Sequence, residues 1–275
     1  MKLQRSWERR KPEQAEAVAV TMKIGKDGVQ PLWLLVVGYW IWMVWACAGE
    51  WANNQDYNYG WFVAPLALYF WLKRGERPQA AVTSAEWQVT GVQGSQGRWF
   101  AWLVVLVSLL FILPLEVVRQ TPIHWRPVLW AIGLIAFGNT LAVAWLAGGR
   151  AALRRVAFPA AFMLLAVPWP TFLENAVSFP LMQMVTGWAV GILHLLGYPA
   201  TAAGTTITLP NCTVGVEEAC SGLRSLQTAL MVGFAVGELA RLSVFARSLL
   251  IGIAFVMALG GNQLRVIMLS LAGIR

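Results

Sequence analysis

Residues 216–226 read Val-Glu-Glu-Ala-Cys-Ser-Gly-Leu-Arg-Ser-Leu and place a thiol, Cys220, at the mouth of a long apolar run. An ordinary thiol, with a pKa of ~8.5, is only a few per cent thiolate at neutral pH, and lowering it by ~1.5 units makes about half of it nucleophilic. Three features act in that direction. Ser221-Gly222 permits a tight turn into a helix, so Cys220 sits at or near a helix N-terminus, where the dipole favours an anion. Arg224 follows four residues on. About forty residues later, Gly-Asn-Gln-Leu-Arg brings Asn262 and Arg265 on a second apolar helix. Glu217 and Glu218 oppose the shift unless they point away or pair with an arginine. The chemistry that suits a thiol facing an arginine is acyl transfer. A tetrahedral intermediate gathers negative charge on oxygen, and a guanidinium fork can bind it. Each residue also has a plainer reading. Cys220 could be packing, Arg265 a snorkelling anchor, and Arg224 a counter-ion for Glu217 or Glu218.

The elements that must position these groups are membrane spans. The chain is 58% hydrophobic and only 12% charged, with 16 tryptophans. That is too little charge to cover a soluble domain of this size. Apolar runs long enough for ~30 Å of hydrocarbon recur, so the expected fold is all-α, a polytopic integral membrane helical bundle of about seven to eight spans. Residues 1–30 form a basic cytoplasmic arm, and 31–275 form the transmembrane domain. Spans are expected near 31–49, 59–72, 99–118, 128–146, 156–167, 223–239 and 248–261, with a Gly/Gln/Ser-rich loop at 78–97. Counted from Ser248, Arg265 lies some eighteen residues into its helix, or ~27 Å, level with Cys220.

Charge sets the orientation. The net charge is +8, and the basic residues sit in short loops rather than on one face, which argues against nucleic acid. The N-terminal arm, 73–77 and 150–155 fall on one side, and Arg241 and Arg247 join them. The positive-inside rule makes that side cytoplasmic. The loops at 50–58 and 119–127 then face outward. No Lys or Arg occurs between Val156 and Leu223, so 168–221 belongs outside. Within it, 181–196 reads as an outer-face interfacial helix before the cysteine, with Leu181, Met184, Val185, Trp188, Ala189, Ile192 and Leu196 on its apolar side. A spanning helix is the rival. Thr205-Thr-Ile-Thr-Leu alternates like a short strand, and Pro210-Asn211 turns it. Gly233 with Gly237, and Gly187 with Gly191, read as helix-packing contacts. The tryptophans read as interface belts. Cys47 reads as inert packing, and a disulfide between Cys212 and Cys220 would silence the nucleophile. Two histidines and three cysteines without ligand spacing give no metal site, and no cofactor is expected.

Glu-Ala-Cys-Ser-Gly-Leu-Arg-Ser around Cys220, followed by Asn262-x-x-Arg265, resembles the exosortase/archaeosortase family of membrane transpeptidases. Tyr59-Gly60-Trp-Phe-Val-Ala-Pro65 is a weaker echo. The resemblance implies that Cys220 attacks a substrate protein at a C-terminal tripartite sorting signal of the PEP-CTERM class. The signal's helix is released, and the new carboxyl end passes as a thioacyl group to an envelope acceptor. It implies Arg265 as the first catalytic arginine, with Glu218, Ser221, Gly222, Arg224 and Asn262 in support. It implies the cytoplasmic membrane as location, an active site facing outside, and lipids and sorted proteins as partners. The family's third catalytic position lies well downstream of Asn-x-x-Arg, whereas this sequence stops at Arg275. Either the natural protein is longer, or another residue serves, His124 and His194 being the candidate bases. The alternatives are a degenerate binding or assembly factor, or a transporter. A transporter should show two related halves with broken helices, and no such symmetry is visible.

Overall fold

A computed structural model describes residues 31–75, 95–121, 125–216 and 223–274. Cys220 with Glu218, Ser221 and Gly222, His124, the basic arm and most of the 78–97 loop lie outside the described residues. Among the described residues, seven α-helices follow one another: α1 (Pro31–Asn53), α2 (Gly60–Gly75), α3 (Ser95–Arg119), α4 (Pro127–Met163), α5 (Thr171–Leu195), α6 (Leu223–Leu239) and α7 (Val244–Ile274). Strands β1 (Thr201–Ala203), β2 (Thr206–Thr208) and β3 (Thr213–Gly215) lie between α5 and α6. The fold is the expected all-α polytopic membrane bundle, with one small sheet. Five stretches are long and apolar enough to cross a bilayer.

The chain divides into two compact units. The first takes residues 1–46, 68–122 and 131–161. Its core joins α1, α3 and α4 through Val36, Ala101, Val105, Ala142 and Val143. Lipid offers helices little hydrophobic reason to associate, so polar pins matter. Tyr39 donates to Ser108 Oγ at 3.0 Å, Ser108 to Asn139 Oδ1 at 3.1 Å, and Trp40 Nε1 to Thr140 Oγ1 at 2.9 Å. Arg74, at the end of α2, donates to the Arg154 carbonyl at 3.0 Å. Two of the basic clusters that orient the chain therefore meet at one end.

The second unit takes residues 47–67, 123–130 and 162–275. Here the expected spans four and five prove to be the legs of α4. A straight helix of 37 residues would be ~55 Å long, yet Trp130 Nε1 donates to the Pro168 carbonyl at 2.9 Å. The helix breaks at Gly148 and Gly149, and Gly149 has φ 57°, ψ −142°. Only glycine holds that conformation cheaply. Counting the two legs separately gives eight helical segments among the described residues, α5 included.

α5 starts ten residues before the expected 181. Its buried stripe is Met182, Val185, Thr186, Ala189 and Leu193, while Trp188 is exposed. The stripe is therefore rotated from the expected apolar side. Among the described residues, a Cβ at Gly187 or Gly191 would meet nothing within 4 Å, so neither shows the expected packing contact there. The 25 residues of α5 suffice to cross a bilayer, but the ends of the segment argue against it. Glu174 in its first turn is bonded to Arg126, and Arg126 pairs with Glu50. Arg224, just after the segment, pairs with Asp56. Both ends thus return to the 50–56 loop. The segment makes no net crossing.

The expected strand is β2, and it gains two partners: β1-β2-β3 is an antiparallel meander. α7 is longer than expected. It begins at Val244, which puts Arg265 twenty-one residues in, about 32 Å, and Val266–Ile274 continues the same helix.

Candidate active site

α6 and α7 form an antiparallel hairpin whose glycines set the spacing. A Cβ on Gly233 would run into Ile251, and one on Gly237 into the Arg247 side chain. These two glycines are packing contacts, as their spacing suggested. Arg247 reaches Glu238 at 3.5 Å across the turn. Each step up one helix is matched by an equal step down the other, so Leu223 stands level with Gly261. Arg265 is about one turn, ~6 Å, further on. Cys220, three residues before Leu223, is tethered within about 11 Å of it by chain length alone.

A buried cluster fixes the approach from the other direction. Ile207 on β2, Val216 just after β3, Leu209, Val185, Ala189, Leu193 and Val266 on α7 pack together. Val216 lies four residues before Cys220, and Val266 is the neighbour of Arg265. The strand that leads to the cysteine and the helix that carries the arginine are thereby parts of one packed body. In Gly-Asn-Gln-Leu-Arg, the buried Gln263 faces α5. With its amide oriented to satisfy both groups, it donates to the Val185 carbonyl at 3.2 Å and accepts from the Ala189 N–H at 3.0 Å. Asn262 is half-buried. Leu264 and Arg265 are exposed, and among the described residues Arg265 meets no ion-pair partner.

Among the described residues, Arg224 has an acidic partner. It grips Asp56 with Nε at 2.7 Å and Nη2 at 2.6 Å from Oδ1. A counter-ion on the α1–α2 loop is thus at hand, and Glu217 and Glu218 lie outside the described residues. Asp56 is itself held because its N–H donates to Asn54 Oδ1 at 3.0 Å. Arg224 thus fastens the start of α6 to that loop. His194 caps the end of α5, with Nε2 2.6 Å from the Ala200 carbonyl. A contact to a carbonyl requires that nitrogen to donate, so only Nδ1 remains for proton acceptance. Cys212 is a free thiol packed beside Gly273. Cys47 is fully buried, as expected of packing.

One constellation has no counterpart in the sequence reading. Arg126 lies between Glu50, at 3.3 Å, and Glu174, with its guanidinium 5.2 Å from the Tyr57 ring centre. The side chains of all three charged residues are less than a quarter exposed. The Tyr57 hydroxyl accepts from the Trp169 N–H at 3.1 Å. Burial first, then the negative charge of Glu174, pushes that hydroxyl up to about 12. The Gln227 carboxamide is close enough to Tyr57 to pull the other way, but neither of its polar atoms meets a partner in hydrogen-bonding geometry. Trp51 donates to the Ala166 carbonyl at 2.8 Å and Tyr59 to the Leu165 carbonyl at 3.1 Å. Together with Trp130, these aromatic donors satisfy three carbonyls of the 164–170 strap, those of residues 165, 166 and 168, and the strap forms no continuous helix. Trp51 and Trp130 are therefore not interface belts. The available signal was a lone Arg126 in one short loop, Glu50 in another, and Glu174 just after Pro168-Trp-Pro170. Their pairing was not visible in one dimension.

The profile of the transmembrane exosortase family matches residues 51–274. The chain belongs to that family. The matched stretch begins at the buried Trp51 and holds Arg126, Glu174, Cys220, Arg224 and Arg265. Comparison with characterised proteins and with solved structures gave no match. Exosortases are membrane cysteine transpeptidases, and this chain is accordingly a multi-pass member of a transpeptidase family.

Proposed function

We propose that this exosortase cuts C-terminal tripartite sorting signals on the outer face of the cytoplasmic membrane and hands the shortened protein to an envelope acceptor. Cys220 is the nucleophile. Its thiolate attacks the scissile carbonyl, forming a C–S bond. The tetrahedral oxyanion collapses, the C–N bond breaks, and the amine leaves on the released helix, taking a proton from water. A nucleophile of the acceptor then attacks the thioester and regenerates the thiolate. Arg265 holds the carbonyl oxygen as charge develops on it. Asn262 supports it on the same helix. Arg224 holds the start of α6 to the loop at Asp56, and Glu218, Ser221 and Gly222 flank the thiol in sequence and support it.

The observation that carries this reading is the shared burial of Val216 and Val266. It supports a thiol and an exposed guanidinium working on one substrate. Outward orientation is supported by the meeting of Arg74 with Arg154, which gathers cytoplasmic-type basic clusters at one end. The test is to express the chain with a protein bearing such a signal and follow its shortening. Cleavage in wild type but not in Cys220→Ser supports the reading. An uncut substrate in wild type refutes it.

A further inference from the structure

We propose that the outer edge of β3 takes the extended recognition segment of the substrate as a fourth strand, laying the scissile bond toward Cys220; this rests on the transpeptidase reading above. The phase of the ladder decides which groups are available. Val216 N–H donates to the Thr205 carbonyl at 2.7 Å and Leu209 N–H to the Cys212 carbonyl at 2.8 Å. In an antiparallel pair, bonded and non-bonded positions alternate. Ile207–Val214 is therefore a bonded pair, while Thr213, opposite Thr208, and Gly215, opposite Thr206, turn their N–H and C=O away from β2. β3 is the last strand of the sheet, and among the described residues no strand pairs with that edge. Thr213 and Gly215 are both exposed, and neither carries a bulky side chain that would screen the edge.

An unpaired edge is a template for an incoming extended chain. Most edges have no reason to prefer one partner. This one does, because of where it leads. Five residues separate Gly215 from Cys220, and Val216 is packed with the neighbour of Arg265. A strand added to β3 gains main-chain bonds at Thr213 and Gly215, and β3 ends one residue before Val216, which precedes the thiol by four residues in sequence. The sheet is held from beneath by Ile207 and Val216, both almost fully buried, so the edge is pre-set rather than formed on binding. Main-chain pairing also suits an extended segment, since it reads extension more than side chains.

The test replaces an outward N–H on each edge of the sheet. Thr213→Pro removes an outward donor of β3 without touching the bonds to β2. Ala202→Pro does the same on the opposite edge, at β1. The expected result is processing slowed about tenfold or more by Thr213→Pro, an unchanged rate of Cys220 alkylation, and wild-type processing by Ala202→Pro. Equal processing by Thr213→Pro and wild type overturns the inference while leaving the transpeptidase reading intact. An uncut substrate in wild type overturns the transpeptidase reading itself. A dimer that is lost in Thr213→Pro while processing persists assigns the edge to a second copy and overturns it too. Where Thr213→Pro fails to accumulate, synthetic substrates N-methylated at successive amides decide. Sensitivity at every second residue supports strand addition, and uniform tolerance refutes it.

Discussion

Two residues carry the proposed chemistry, and their substitutions separate charge from geometry. Cys220→Ser should remain inserted in the membrane and lose processing, because an alkoxide is far harder to form near neutral pH than a thiolate. Arg265→Lys should fail nearly as badly as Arg265→Ala in the same assay. A lysine keeps the charge but not the planar fork; recovery of most activity by lysine would reduce the role to simple charge. Arg126 belongs to stability instead. Removing it leaves Glu50 and Glu174 facing each other with little solvent, so Arg126→Ala should cost about 3 kcal/mol, read as a fall in unfolding temperature in detergent. The catalytic candidates were legible in the sequence because their types and spacing are unusual for an apolar chain. The Glu50–Arg126–Glu174 group was not, because three single charges in three separate segments say nothing of their meeting.

Helices were legible where one apolar run makes one straight element. α6 occupies the expected 223–239. The departures have physical causes. Arg150, Arg154 and Arg155 were taken to separate two spans, yet the helix resumes at once after Gly149, so these cations ride on the second leg of α4. The apolar face of α5 was misread because its buried side is set by the sheet and by α7, which periodicity within α5 cannot reveal. The strand at 205–209 was legible from alternation, but its two partners are three residues each, too short to show a period. The α6–α7 hairpin gives a test at this scale. Gly233→Leu should push α7 away at Ile251 and slow processing by displacing Arg265. Adding Ile251→Ala should restore part of the rate, because contacting residues couple. Additive losses from the two changes would mean that the glycine contact does not set the position of Arg265.

The whole molecule joins a lipid-embedded bundle to a non-crossing segment that holds the sheet. In the second unit, α6 and α7 pack on each other and on α5, and the sheet leads to the strand that precedes the cysteine. This division predicts that a membrane-impermeant thiol reagent reaches Cys220 from outside, while the 78–97 loop stays protected from outside proteases. Accessibility of a tag in that loop from outside would invert the topology.

The central claim is that Cys220 becomes acylated by its substrate. The direct measurement is mass spectrometry of the enzyme recovered during turnover of a signal-bearing protein. A hydroxylamine-labile adduct of the shortened substrate on Cys220 in wild type, absent from Cys220→Ser, is the expected result. Continued shortening by Cys220→Ser, with no adduct on the wild-type thiol, would contradict the account.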